Sequence, residues 1–199
     1  GGTQTITSGV DASTRGALFW RKARSGTYST GDHHLFDTVR GSTQFLQTNT
    51  TAGQATYGSE AIAATSTGCT VTGANLNEVA TNYVTWTFRK AAKFFDVVTF
   101  TQVGTTGWQT VSHNLGSVPG MIVMKNTTTG ATSWAVYHRS IPTSKLFLNT
   151  TSAAIAETIV QNVTATSFDF SITSAGNNNG DVFVVYLFAH DTASTGLIQ

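Results

Sequence analysis

Tyr83-Val84-Thr85-Trp86-Thr87-Phe88 and Phe183-Val184-Val185-Tyr186-Leu187-Phe188 carry one pattern at a spacing of 100 residues. Both are runs of β-branched and aromatic residues of strand length. Further pairs lie outward from them. Thr48-Asn49-Thr50-Thr51-Ala52 matches Leu148-Asn149-Thr150-Thr151-Ser152, and Leu35-Phe36-Asp37 matches Val136-Tyr137-His138, with Arg40 and Arg139 close behind. Gly16-Ala17-Leu18-Phe19-Trp20-Arg21-Lys22 matches Gly120-Met121-Ile122-Val123-Met124-Lys125 with one gap, and Gln4-Thr5-Ile6-Thr7 matches Gln109-Thr110-Val111-Ser112. The offset drifts between about 100 and 105, as happens when turns change length and strands do not. The chain reads as two tandem copies of one unit, residues 1–92 and 93–199.

Composition fixes the class of that unit. Of 199 residues, 40% are hydrophobic and only 11% charged, with a formal net charge of +1. Ordinary soluble domains carry about 25% charged residues. Here the polar surface comes from 37 threonines, 17 serines and 11 asparagines. Near-neutral charge argues against a general nucleic-acid binder. No apolar run approaches the roughly 18 residues of a membrane helix. The lone Cys69 excludes an internal disulfide framework and a cysteine-rich zinc site. Few Glu, Lys, Arg and Leu, against many Thr, Val and Ile, disfavour long helices. The expectation is an all-β chain of two tandem β-sandwich, jelly-roll-like domains.

Short apolar runs between Gly, Asn, Ser and Thr clusters give the strands. In the first copy they are 17–22, 34–38, 44–48, 69–72 and 83–89. In the second they are 94–101, 109–112, 121–125, 134–138, 145–149, 168–173 and 182–188. Alternation puts Val84, Trp86 and Phe88, and with them Val184, Tyr186 and Phe188, on a core face. The opposite face of the second copy is Phe183, Val185 and Leu187, so that strand is expected to be covered on both sides, by the other copy or another chain. The strand signal at Phe94–Thr101 has its first-copy counterpart before Gly1. This predicts a parent protein that extends upstream, or a neighbouring chain over the uncovered edge. Lys90-Ala91-Ala92-Lys93 lacks Pro, Gly and Ser and reads as a tight connection. Asn49-Thr50-Thr51 and Asn149-Thr150-Thr151 match a glycosylation pattern, but they read first as local turns that start the Ala-rich stretches 52–64 and 153–156.

The search for chemistry returns little. His33, His34, His113, His138 and His190 lack metal-ligand spacing and are not shared between the copies. The scattered carboxylates, from Asp11 to Asp191, form no repeated pair such as a glycosidase needs. Cys69 has no activating base in view and reads as a small buried hydrophobe. Asn177-Asn178-Asn179-Gly180-Asp181 offers oxygen ligands for calcium, but a hairpin turn into the last strand is simpler. Arg15, Arg21, Lys22 and Arg24 form the one basic cluster, able to meet an anionic glycan or a phosphate. Trp108 and Trp134 lie near turns and could stack on sugar rings, with core packing the better reading for Trp134. No catalytic, metal or cofactor residue is expected. The candidate ligand or partner contacts are Trp108, Trp134, Arg21, Arg24, Phe183, Val185 and Leu187.

His33-His34-Leu35-Phe36-Asp37-Thr38-Val39-Arg40-Gly41, with Gln44-Phe45-Leu46 and Asn49-Thr50-Thr51-Ala52 after it, resembles a repeat of bacteriophage tail-fibre and other virion structural proteins. So do Thr85-Trp86-Thr87-Phe88-Arg89-Lys90-Ala91 with Phe94-Phe95-Asp96-Val97-Val98-Thr99, the block from His113 to Val123, Val136-Tyr137-His138-Arg139-Ser140, and Tyr186-Leu187-Phe188-Ala189-His190-Asp191. The resemblance implies a non-enzymatic virion protein with no cofactor, outside the cell, assembled with other virion subunits as a homo-oligomer, often a trimer. Contact with a host surface glycan or receptor is expected with it, and neither nucleic-acid binding nor membrane insertion. A carbohydrate-binding module of a secreted protein and a fragment of a polysaccharide depolymerase remain the alternatives.

Overall fold

A computed structural model describes residues 2–26, 31–173 and 177–190. They form sixteen strands, and none of them is helical. The chain is all-β and divides into two compact units: Gly1–Thr50 with Gln54–Lys90, and Thr51–Gly53 with Ala91–Gln199.

The first unit holds β1 (Gln4–Thr7), β2 (Ala17–Ala23), β3 (His34–Asp37), β4 (Gly41–Gln47), β5 (Ala55–Thr56), β6 (Ala61–Thr65), β7 (Gly68–Thr72) and β8 (Tyr83–Arg89). They pair antiparallel into a three-stranded sheet, β1-β7-β6, and a five-stranded sheet, β5-β4-β3-β2-β8. The sheets close over Phe19 and Phe36 from one side and Ile62, Cys69 and Val71 from the other, with Leu76 joining from the next loop. Gly68 is obligatory where β7 meets β1. Any Cβ there would lie 2.0 Å from the Ile6 carbonyl oxygen.

The second unit repeats the plan with β9 (Phe95–Thr101), β10 (Trp108–Ser112), β11 (Pro119–Asn126), β12 (Ala135–His138), β13 (Leu146–Phe147), β14 (Val160–Gln161), β15 (Ser167–Ser171) and β16 (Val182–Ala189). Its sheets are β10-β15-β14 and β13-β12-β11-β16-β9, again antiparallel. Val111, Phe168 and Phe170 from the smaller sheet pack on Ile122, Met124, Phe183, Val185 and Leu187 from the larger.

Strand registers establish which residues correspond. Trp20 lies opposite Trp86 and Leu35, as Val123 lies opposite Tyr186 and Val136. Therefore β2 corresponds to β11, β3 to β12 and β8 to β16. Lys22 then falls on Lys125, Arg21 on Met124 and Asp37 on His138. The last pair shares a role despite different chemistry. Asp37 Oδ1 accepts the N–H of Val39, and His138 Nδ1 accepts the N–H of Ser140.

Several expectations change. The face assignment of the terminal strands inverts. Phe183, Val185 and Leu187 are the inward face and belong to the core of their own unit, so they do not wait for a partner. Val184 and Tyr186 on the other face are buried too, with Tyr186 stacked beside Trp134 and Phe95. Trp86 is not core: it is 45% exposed. Asn49 and Thr50 do form a local turn, where the Thr50 N–H donates to the Gln47 carbonyl, and the Ala-rich stretch after it includes β5 and β6, where Ile62 points inward. The strand expected over 145–149 shortens to Leu146–Phe147. Lys90-Ala91-Ala92-Lys93 is tight, as Ala91 donates to the Phe95 carbonyl and Phe94 donates back to Ala91.

Candidate functional site

Each unit opens a cavity at the same end of its sandwich. In the first it measures about 230 Å³ and is lined by Arg21, Ala23, Gly31, Asp32, His34, Gln47, Tyr57, Asn75, Leu76 and Tyr83. In the second it measures about 280 Å³, and Met124, Asn126, Thr132, Ser133, Ala135, Lys145, Phe147, Asn177 and Phe183 are among its lining residues. The registers align these sets: Arg21 with Met124, His34 with Ala135, Gln47 with Phe147, and Tyr83 with Phe183. At these four positions the first copy carries polar side chains and the second apolar ones, while Asn126, Lys145 and Asn177 also line the second cavity.

Arg21 explains the polar version. Its place on β2 puts it on the same face as Phe19, so the guanidinium points inward, and the residue is 3% exposed. Nε donates to the Leu76 carbonyl at 2.7 Å, Nη1 donates to Thr85 Oγ1 at 2.7 Å, and the guanidinium lies 4.0 Å from the Tyr83 ring centre. Burial lowers its pKa, with Tyr83 opposing, but an arginine stays charged in proteins. No carboxylate among the described residues forms an ion pair with it.

Around it the other groups are held in place. Asp32 accepts the amide of Gln47 at Oδ2 and of Asn49 at Oδ1, both at 2.7 Å. His34 Nε2 and the Tyr57 hydroxyl share a hydrogen bond of 3.1 Å. Burial holds His34 below its ordinary pKa, partly offset by Asp32 and Glu60, so it is neutral at pH 7. Tyr57 stacks on Phe45 at 4.2 Å. Glu60 grips Asn75 through its backbone N–H (3.0 Å) and its amide (3.1 Å).

The other candidates separate. Arg21 and Lys22 point to opposite faces of β2, while Arg15 and Arg24 are exposed, so the four make no single basic patch. Lys22 Nζ donates to the Gly31 carbonyl, as Lys125 Nζ donates to Thr132. Trp134 is fully buried and stacked, which removes it from any sugar-contacting role. Trp108 is 43% exposed on β10. In 177–181, Asp181 accepts bonds from Asn126 Nδ2 (2.7 Å), Thr129 Oγ1 (2.9 Å) and the Asn178 N–H (2.8 Å), which tie its carboxylate into the turn before β16. No metal-binding cluster of His, Cys, Asp and Glu occurs among the described residues. Asp191 lies outside them.

The family model of a domain of unknown function, DUF7483, matches residues 1–194. The chain belongs to the DUF7483 family. No curated protein and no solved structure matches it. The DUF7483 match runs through both copies, so both cavities fall within one family domain.

The polar cavity was not legible from either sequence copy alone. Its residues come from β2, β3, β4, β8 and three loops. The signal that could have found it is the copy-to-copy comparison: an arginine where the other copy has Met124 is an expensive change in a core.

Proposed function

We propose that the chain is a non-enzymatic structural protein of a bacteriophage particle, part of a tail fibre or related appendage, built from β units that join through strand edges. The observation that carries this reading is the outer edge of β8. This seven-residue strand ends its sheet, with no strand beyond it among the described residues. It contains neither Lys nor Pro, and its register with β2 has no bulge. These are the usual protections of an exposed edge. At the same place in the second unit, β16 is paired with β9.

Transferring that register to β8 sets the added strand beside Trp86. Trp86 is 45% exposed, whereas the corresponding Tyr186 is 1% exposed. A strand of the β9 pattern, supplied by another unit of this kind, completes the sheet and covers the indole. The Thr-rich, ion-poor surface suits an external particle, because little of its stability depends on salt-screened charge pairs.

The test is uptake of a peptide with the sequence of residues 94–101, read by Trp fluorescence, beside the oligomeric state of the chain by light scattering. Peptide uptake or self-association that Trp86→Lys abolishes supports the reading. A chain that stays monomeric and ignores the peptide overturns the assembly argument. Immuno-electron microscopy of particles carrying the protein tests the location, and label away from the appendages overturns it.

A further inference from the structure

We propose that the polar cavity of the first unit binds a single sugar residue bearing a carboxylate, of the uronic or sialic acid class. This deepens the host-contact side of the virion reading and is independent of strand addition.

The second unit serves as an internal control. Met124, Ala135 and Phe183 occupy the positions of Arg21, His34 and Tyr83, and the same two-sheet scaffold forms around them. The fold therefore does not require an arginine at this strand position, and the cation that lines the second cavity, Lys145, is paired with Glu157. Burying a guanidinium costs stability unless a counter-charge meets it, and apolar replacements of buried charges are often neutral or stabilising. Arg21 is buried with only neutral partners: a carbonyl, a hydroxyl and an aromatic face. It lines an open cavity. An anionic group entering that cavity supplies the counter-charge the core lacks.

The remaining lining narrows the class. Asp32 keeps acceptor capacity after its two amide bonds, since a carboxylate offers about four lone-pair sites. It repels a multiply charged phosphate but accepts bonds from hydroxyl groups. Tyr57 and Tyr83 give walls with an apolar body and a polar tip. One cation, one hydroxyl acceptor and aromatic walls fit a ring that carries one carboxylate and several hydroxyls. At about 230 Å³ the cavity sits below the roughly 300–1,000 Å³ of drug-sized sites, which leaves room for one ring.

The experiment titrates the whole chain with glucuronate and N-acetylneuraminate, and separately with glucose and inorganic phosphate, by calorimetry and by amide shifts in NMR. Saturable binding of a sugar acid at low-millimolar concentration is expected, with shifts at Arg21, His34 and Tyr83 and none for glucose. Arg21→Met installs the residue the second copy already uses, so folding is expected to survive, checked by thermal melting, while affinity falls about tenfold or more. Met124→Ala, in the other cavity, should leave affinity unchanged. The proposal is overturned if neither acid binds, if phosphate binds as well as the acids, or if folded Arg21→Met binds as the native chain does. A folded Arg21→Met chain that loses sugar binding but still takes up the 94–101 peptide separates this site from the assembly edge.

Discussion

Asn149 Oδ1 accepts the backbone N–H of Trp134 at 2.9 Å, and Asn49 Oδ1 accepts that of His33 at 3.0 Å. The two bonds are the same device in the two copies. Each asparagine follows one strand and fixes the residue just before the neighbouring strand. The lysines act beside them: Lys125 holds the Thr132 carbonyl and Lys22 the Gly31 carbonyl. The paired Asn-Thr-Thr sequences therefore serve a contact 15 or 16 residues away, not only a local turn.

Asn149→Ala is expected to cost more than Asn49→Ala. Trp134 is fully buried, so its N–H loses a partner that water replaces poorly. We expect roughly 1–3 kcal/mol for Asn149→Ala and less for the exposed Asn49 site. Urea unfolding of both variants checks the order.

Asp181 should make the second unit acid-labile. Burial alone would raise its pKa, but bonds from Asn178, Asn126 and Thr129 outweigh that and hold it below the ordinary carboxylate value of 3.8. Its contribution is complete above the unfolded pKa and is lost as pH falls through the folded one. Melting temperature should drop below about pH 4, and Asp181→Asn should flatten that part of the profile while melting lower at neutral pH.

Lys125 should act at the other end of the scale. Burial brings its pKa down to about 8, from an ordinary 10.5. Between those values the unfolded chain binds more protons than the folded one, so this group makes stability rise with pH there. Below pH 8 its ammonium is charged in both states, and it is held by the carbonyls of Thr51 and Thr132 and the Thr132 hydroxyl. Lys125→Met removes the upward slope, as read from denaturant midpoints between pH 7.5 and 10.

Cys69 should be a silent thiol in the folded protein. It is buried in the first core, and burial raises its pKa, with Arg21 opposing. A thiol reagent should react only at the rate of opening, and Ile62→Ala should speed that reaction by loosening the same core.

The repeat, the strand class and most strand positions were legible because Thr, Val and aromatic runs stand between clear turn signals. The facing of the last strands was not. In β16 both faces are apolar, so period-two alternation gives two equal choices. Alternation in β8 favoured Val84, Trp86 and Phe88, and Tyr186 followed by correspondence, but the smaller sheet packs on the side of Phe183, Val185 and Leu187. In β8 that inner side includes Thr85, which looks like a solvent residue until Arg21 is seen donating to its hydroxyl. β6 was hidden because Ala61–Thr65 has one large apolar residue, Ile62, and so shows almost no alternation.

The Asn and Lys anchors have a consequence for how this chain can be altered. The connections they close differ in length, ten residues from 24 to 33 in one unit and eight from 127 to 134 in the other, yet both return to the sheet at anchored points. Register is thus set where each connection ends, by Asn49 on His33 and Asn149 on Trp134, and not by the number of residues spanned. One frame can therefore take connections of unequal length without a slip of its strands.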